Sequence, residues 1–255
     1  MNNRLLNSVW VLAAGGALLL SACRPDYKVT QVEASRVAID STWDIRPDTA
    51  MTALIAPYKA QLDSTMHRVV GRASMPMKAE RPESPLSNLV ADVLRQAAKK
   101  ATGSVADVGL VNIGGLRASL SKGEVTVEDV YEILPFENAL CVLTLRGADL
   151  RHLFENIAAR GGEGVSGVRL TISADGRLLD CSVGGLPVDE ERTYTVATLD
   201  YLAEGNDGMT ALTAATHRQC PPGATLRGLF MQYVEQCAAQ GRPLEAHTEG
   251  RITVK

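Results

Sequence analysis

Apolar residues spaced three and four positions apart predict five helices, over 48–70, 84–103, 126–134, 147–160 and 225–239. The second helix has the clearest signals, because Ser84 stands at the N-cap, Pro85 follows in the first turn, and Gly103 ends the pattern. The polar positions Asn88, Asp92 and Arg95 predict a solvated face of this helix, with a role in ligand binding as the alternative. The first helix also has an apolar face, which we expect to pack on the rest of the chain or on a partner.

Shorter apolar runs predict strands over 107–111, 140–145, 168–172, 178–183, 193–199 and 251–254. Alternating apolar residues between 24 and about 43 predict a tether followed by an edge strand. The segment 71–82 contains proline and polar residues and is predicted to be a connection. Short, hairpin-like links join the middle strands, which argues against a purely parallel sheet. The predicted class is therefore α+β with mixed sheets.

The first 22 residues have the pattern of a signal peptide, with Arg4 before an apolar stretch at 9–20. Leu20-Ser21-Ala22-Cys23 resembles a bacterial lipobox, which makes Cys23 the predicted lipidation site. An ordinary secretory signal that happens to contain this cysteine is the alternative. The predicted organisation is a signal peptide (1–22), a tether with the first helix (23–74), and one main domain (75–255), lipid-anchored in the cell envelope at the outer membrane or a periplasmic face.

The formal net charge of −3, with both signs interspersed, argues against a nucleic-acid partner, which would require a basic surface. Beyond Cys23 the chain has Cys141, Cys181, Cys220 and Cys237, whose spacing is not that of a zinc site. Both buried thiols and a disulfide are compatible with this spacing. Cys220–Cys237 is the first pair to test.

The sequence predicts no catalytic residue and no metal ligand. Its four histidines are scattered, none in the clustered setting that a two-metal hydrolase requires. The Gly-x-Ser-x-Gly and Gly-Lys-Ser/Thr motifs of other hydrolases and of phosphate-binding loops are absent as well. We therefore expect the chain to bind a ligand rather than to carry a catalytic centre of its own.

Two aromatic side chains lie in polar loops, where a ring is exposed unless something stacks on it. Phe136 stands in Pro-Phe-Glu-Asn, and Tyr201 opens the segment 201–208, which contains two glycines. These rings are either platforms for a flat ligand or caps folded back on the core. Both alternatives fit the pattern.

Polar groups accompany these rings. A strand leads into Asn-Ile-Gly-Gly-Leu-Arg, where Asn112 and Arg117 are fixed donors, and Asn138 is a third donor. Asp207 is an acceptor suited to the paired hydroxyls of a ribose. Together with the rings, these groups predict a nucleoside site.

Six motifs occur in an order and spacing that resemble the C-terminal domain of the 5′-nucleotidase family, from about residue 75 onward: 83–89, 112–117, 123–130, 135–138, 165–168 and 194–208. The resemblance implies a layered α/β/β/α domain that grips the nucleoside. In the family a separate metallophosphoesterase domain binds two metal ions and cleaves the phosphate ester.

The resemblance implies that Phe136 and Tyr201 sandwich the base, that Asp207 binds the ribose hydroxyls, and that Arg117, Asn112 and the backbone of Gly114 frame the site. Asn138 and Gly167 match positions that contact ligand in some relatives. Tyr201 replaces the more usual phenylalanine, and Asn206 replaces a glycine, which asparagine can do because it tolerates left-handed backbone angles. Arg81 lies near the family's upstream arginine but is offset from it.

The implied function is recognition of an AMP-like nucleoside or nucleotide for phosphate ester hydrolysis. A separately encoded metallophosphoesterase chain would supply the divalent metal ions, and no cofactor is expected in this chain. The alternative is a non-catalytic nucleoside-binding or structural lipoprotein of the envelope.

Overall fold

The structure is a computed structural model that describes residues 28–255 except 44 and 46. The predicted signal peptide and Cys23 therefore lie outside the described residues. The described chain falls into two units, 28–54 and 55–255. None of its helices combines the length and the apolar character needed to cross a membrane.

The first unit contains a 3-10 helix (Ser41–Trp43) and the start of helix α1 (Thr49–Met66). Residues 28–39 form no strand, and their apolar members, including Val29 and Ile39, are exposed. The predicted edge strand was wrong, because alternation makes a strand only where a neighbouring strand supplies hydrogen-bond partners. In α1 the apolar side chains from Met51 to Leu62 are also exposed, whereas Met66 packs on the core.

The second unit contains helices α2 (Pro85–Thr102), α3 (Val127–Ile133), α4 (Gly147–Ala159), α5 (Asp200–Ala203) and α6 (Leu226–Ala239). Short 3-10 helices lie at Ile113–Gly115, Asn206–Gly208 and Thr210–Ala214. The strands are β1 (Val69–Ala73), β2 (Val108–Val111), β3 (Gly123–Thr126), β4 (Leu140–Arg146), β5 (Gly164–Ser166), β6 (Val168–Ile172), β7 (Leu178–Val183), β8 (Leu186–Pro187), β9 (Thr193–Leu199), β10 (His217–Gln219) and β11 (Ile252–Val254).

The strands form a five-stranded sheet in the order β10-β4-β9-β2-β5, a four-stranded sheet in the order β11-β6-β7-β8, and the antiparallel pair β1-β3. Each larger sheet has one parallel pair, β2 with β9 and β6 with β11, among antiparallel ones. The predicted α+β class with mixed sheets is confirmed. The connection predicted over 71–82 begins instead with β1, whose glycine and arginine conceal the strand pattern.

Helix α2 packs on the five-stranded sheet, and α4 contacts β4 and β9 of that sheet as well as β7 of the other. The face of α2 that was predicted to be solvated is solvated only in part, because Asp92 and Arg95 are half-buried and Asn88 is buried. Asn88 is only 2% exposed and donates to the Glu83 carboxylate at 2.7 Å, and Asp92 pairs with Arg251 at 2.8 Å. This face is polar because it anchors the chain around β11.

The disulfide joins Cys141 to Cys220. Cys141 lies in β4, and Cys220 directly follows β10, which pairs with β4. The first candidate pair, Cys220–Cys237, was therefore wrong, and Cys181 and Cys237 are buried thiols. Strand pairing determines which cysteines meet, and sequence spacing does not reveal that pairing.

The topology brings three loops to one edge of the five-stranded sheet. Strands β2 and β9 are parallel, so both end there. Strand β4 is antiparallel to β9, with Leu140 opposite Leu199, so β4 begins at the same edge. The segments after Val111, before Leu140 and after Leu199 therefore meet.

Candidate functional site

A cavity of about 370 Å³ lies at this sheet edge. It is lined by nine residues: Asn112, Gly114, Gly115, Arg117, Phe136, Asn138, Arg160, Tyr201 and Asp207. Seven of the eight residues proposed from the sequence are among them. The eighth, Gly167, lies in the wall of a different cavity, where an added Cβ would come within 2.3 Å of the Asp107 carbonyl oxygen.

The two aromatic residues are accessible rather than folded into the core. Phe136 is 49% exposed and Tyr201 is 40% exposed. Their rings are therefore available as stacking surfaces. Of the two alternatives that the sequence left open, this exposure favours platforms over caps.

A buried arginine supports the loop of Phe136. Arg227 in α6 donates from one guanidinium nitrogen to the carbonyl oxygens of Leu134 and Pro135, each at 3.1 Å. Its guanidinium carbon lies 4.2 Å from the ring centroid of Tyr131, and it forms an ion pair with Glu137. The position of Phe136 thus depends on a helix about ninety residues later in the chain, so the loop's own sequence could not reveal this support.

Asp200 connects the two loops that carry the rings. One of its carboxylate oxygens accepts from the backbone N–H of Ala139 at 3.0 Å and from that of Tyr201 at 2.8 Å. Its own N–H donates to the Ala139 carbonyl at 2.8 Å. These three bonds fix the Tyr201 segment against the Phe136 segment.

The turn that carries Asp207 is left-handed at three positions: Gly205, Asp207 (φ 53°) and Gly208. Asn206, which was expected to adopt a left-handed conformation, does not; its amide donates to the carbonyl of Tyr201 at 2.8 Å. The strained residue is instead Asp207, as aspartate tolerates these angles better than most side chains do.

Asp207 is already engaged by two neighbours. Asn112 Nδ2 donates to its Oδ2 at 2.7 Å, and the Tyr201 hydroxyl donates to its Oδ1 at 3.3 Å. The negative charge of Asp207 is the main reason that the pKa of Tyr201 is raised. These two hydrogen bonds hold the Asp207 carboxylate in a fixed position before any ligand hydroxyl could donate to it.

The amide oxygen of Asn112 is the notable polar atom of the site. Because Nδ2 must face the carboxylate, Oδ1 faces away, and it is buried with no hydrogen-bond partner among the described residues. A Cβ on Gly115 would lie 2.9 Å from this oxygen, so a larger residue there would displace the Asn112 amide. Asn112 lines the cavity and thus contributes one buried, unpaired amide oxygen beside it.

Two charged residues were missed by the sequence reasoning. Arg160 lines the cavity, with Nη2 3.7 Å from Asp207 Oδ2, and its Nε donates to buried Glu163 at 2.6 Å. This hydrogen bond to the Glu163 carboxylate raises the pKa of Arg160. Arg81 also donates to Glu163 and does not line the cavity. The sequence did contain a signal for these two residues: Gly161-Gly162 follows a predicted helix, and the carboxylate of Glu163 comes directly after that pair.

The donor set does not fit a metal centre. Across 28–255, apart from 44 and 46, no three His, Cys, Asp or Glu side chains group closely enough to bind an ion. Arg117, whose guanidinium donates to the Gly114 carbonyl at 3.2 Å, is exposed at the cavity. Two exposed rings, side-chain donors and one carboxylate thus line the same cavity.

A family model described as "5′-nucleotidase, C-terminal domain" matches residues 66–214. This chain belongs to that family. The matched region contains all eight residues proposed from the sequence and also Arg160 and Glu163. It ends before α6, so Arg227 lies beyond it.

Among curated relatives, the trifunctional nucleotide phosphoesterase protein YfkN of Bacillus subtilis is 28% identical over 216 residues, which is 76% of this chain and 14% of that protein. Protein UshA of Yersinia enterocolitica is 30% identical over 189 residues, 71% of this chain and 34% of UshA. This 5′-nucleotidase C-terminal domain thus spans about a third or less of these relatives.

Solved structures agree on the fold. The 5′-nucleotidase precursor from Thermus thermophilus matches with a TM-score of 0.69 and 33% identity, over 80% of this chain and 43% of that one. The NAD nucleotidase of Haemophilus influenzae matches with a TM-score of 0.60 and 22% identity, over 82% and 41%. The second likeness concerns the fold alone.

Proposed function

We propose that this 5′-nucleotidase C-terminal domain recognises a nucleoside or nucleotide such as AMP. The observation that carries the proposal is that one cavity collects both exposed rings, the donors Asn112 and Arg117, and Asp207. The base stacks between Phe136 and Tyr201, since a ring sandwich accepts any flat heterocycle. The ribose hydroxyls donate to Asp207, and Arg117 faces the phosphate side.

Phosphate ester cleavage is assigned, in this proposal, to a metallophosphoesterase on a separate chain, which supplies divalent metal ions. The absence of metal-binding motifs from the sequence supports that assignment. The proposal also places the chain in the cell envelope, lipid-anchored through Cys23 at the outer membrane or a periplasmic face. The Cys141–Cys220 disulfide supports this location, because disulfides persist outside reducing compartments.

The proposal is tested by calorimetric titration of the full chain with adenosine and with AMP. We expect saturable binding that weakens by roughly 1–3 kcal/mol in Tyr201→Ala, by analogy with bases stacked on aromatic side chains. Tyr58→Ala is the matched control, because Tyr58 is 72% exposed in α1 and does not line the cavity. No heat with either ligand, or equal binding by both variants, contradicts nucleoside recognition.

The partner is tested separately. Phosphate release from AMP by a metallophosphoesterase that copurifies with the chain is measured with and without this chain. We expect faster release when both are present. Unchanged release, together with binding of adenosine as strong as that of AMP, favours the alternative of a non-catalytic nucleoside-binding lipoprotein.

A further inference from the structure

The guanidinium of Arg160 is hydrogen-bonded through Nε, whereas its two terminal nitrogens make no hydrogen bond to the described residues. Arg160 follows the last residue of α4, and its Nε donates to Glu163 Oε1 at 2.6 Å. Its four terminal N–H groups donate no hydrogen bond to the described residues. The guanidinium lines the cavity with Nη2 3.7 Å from Asp207 Oδ2, a separation longer than a hydrogen bond.

Glu163 determines where Arg160 lies. Its side chain is fully buried, and Oε1 accepts from Arg81 at 2.5 Å and from Arg160 at 2.6 Å. Oε2 accepts from the backbone N–H of Ile113 at 2.6 Å, so the same carboxylate holds the segment that follows Asn112. A buried carboxylate that accepts from two guanidinium groups holds both of them in place, because a buried acceptor that loses a donor is not compensated by water.

A donor and an acceptor therefore stand side by side at the Asp207 end of the cavity. A hydroxyl can accept a hydrogen bond from a guanidinium while it donates its own proton to a carboxylate. A second anion at this position would be repelled by Asp207, whereas a neutral hydroxyl suits both groups.

We propose that Arg160 determines sugar specificity in this site: it donates to a ribose hydroxyl that in turn donates to Asp207, and Glu163 positions it. This inference rests on the nucleoside recognition proposed above. It predicts that the site prefers ribose over deoxyribose, because a site built to pair a hydroxyl leaves its polar groups unpaired when that hydroxyl is missing.

The test compares adenosine, 2′-deoxyadenosine and 3′-deoxyadenosine by calorimetry on the full chain. We expect the wild type to bind adenosine roughly 10- to 100-fold more tightly than at least one deoxy analogue, the range for a hydrogen bond to a charged group. In Arg160→Met this preference falls about tenfold, and Arg160→Lys retains part of it. Arg177→Met is the matched control, since Arg177 is an exposed arginine whose Nε also bonds a carboxylate, at 2.9 Å, away from the cavity.

Combining variants at Glu163 and Arg160 shows whether Glu163 positions Arg160 or only stabilises the fold. Glu163→Gln, verified as folded by circular dichroism, is expected to reduce the preference three- to tenfold. Adding Glu163→Gln to Arg160→Met should reduce it no further, because the glutamine oxygen can still accept from the Ile113 N–H and the remaining effect of the carboxylate passes through Arg160. A further loss in the double variant overturns the positioning role.

The remaining outcomes distinguish this inference from the proposed function. If the wild type binds none of the three ligands, both fail. If the wild type binds adenosine but Arg160→Met weakens all three ligands equally, or changes none of them, nucleoside recognition stands and the role of Arg160 in specificity is overturned.

Discussion

Replacing Arg227 by methionine should destabilise the loop of Phe136. The loss in the free energy of unfolding depends on how deeply Arg227 is buried. Arg227 is 8% exposed and donates to two backbone carbonyls at 3.1 Å, with its guanidinium over Tyr131. Two hydrogen bonds from a charged donor contribute about 3 kcal/mol, and the cation–π contact about 1 kcal/mol. Packing by the methionine side chain offsets part of this, so the expected loss in the free energy of unfolding is about 3 kcal/mol.

Arg169→Met is a matched control for this change. Arg169 also donates to two backbone carbonyls, those of Glu249 at 2.9 Å and Gly250 at 3.2 Å, but it is exposed. Water replaces its bonds, and the expected loss is below about 1 kcal/mol.

The assay is urea denaturation followed by circular dichroism, with a calorimetric Tm as a second readout. For a domain of this size the Arg227→Met loss corresponds to a Tm decrease of roughly 6–12 °C. Equal losses in the two variants, or a loss below about 1 kcal/mol in Arg227→Met, would refute the claim that burial makes the Arg227 hydrogen bonds more stabilising than those of Arg169.

Substitutions at three other residues have specific expected outcomes. Gly115→Ala should displace the neighbouring asparagine amide and weaken adenosine binding about tenfold, whereas Gly114→Ala, whose Cβ meets nothing nearer than 3.9 Å, should leave the binding constant within about twofold. Because the Asp207 charge raises the pKa of Tyr201, Asp207→Asn should move one tyrosine titration, followed by ultraviolet difference absorbance, to lower pH; an unchanged titration contradicts that contact. Cys220→Ser should lower the free energy of unfolding by about 3 kcal/mol in urea denaturation, and added reductant should have the same effect on the wild type but none on the variant.

Local signals predicted the long elements well. Helix α2 could be predicted because its Ser84-Pro85 start, its apolar stripe and Gly103 all lie within twenty residues. Short strands such as β5 and β10 were missed, since three residues are too few to establish a period and only a neighbouring strand makes them strands.

The residues that line the cavity were predictable because their motifs lie in the loops that form it. The residues that hold those loops were not. Arg227 contacts Leu134 and Pro135 across about ninety residues, and Glu163 joins Arg81 to Ile113 from a third place in the chain. Such contacts depend on how the strands pair, which no single stretch of sequence encodes. The same reason explains why the pairing of Cys141 with Cys220 was not foreseen.

The central claim is that a nucleoside lies between Phe136 and Tyr201, and a crystal structure of the chain soaked with adenosine tests it most directly. We expect the base to stack between the two rings, with the ribose hydroxyls within hydrogen-bond distance of Asp207. Adenosine bound instead in the larger groove of about 680 Å³ beside α2 and α6, or rings that turn away from the ligand, would contradict it.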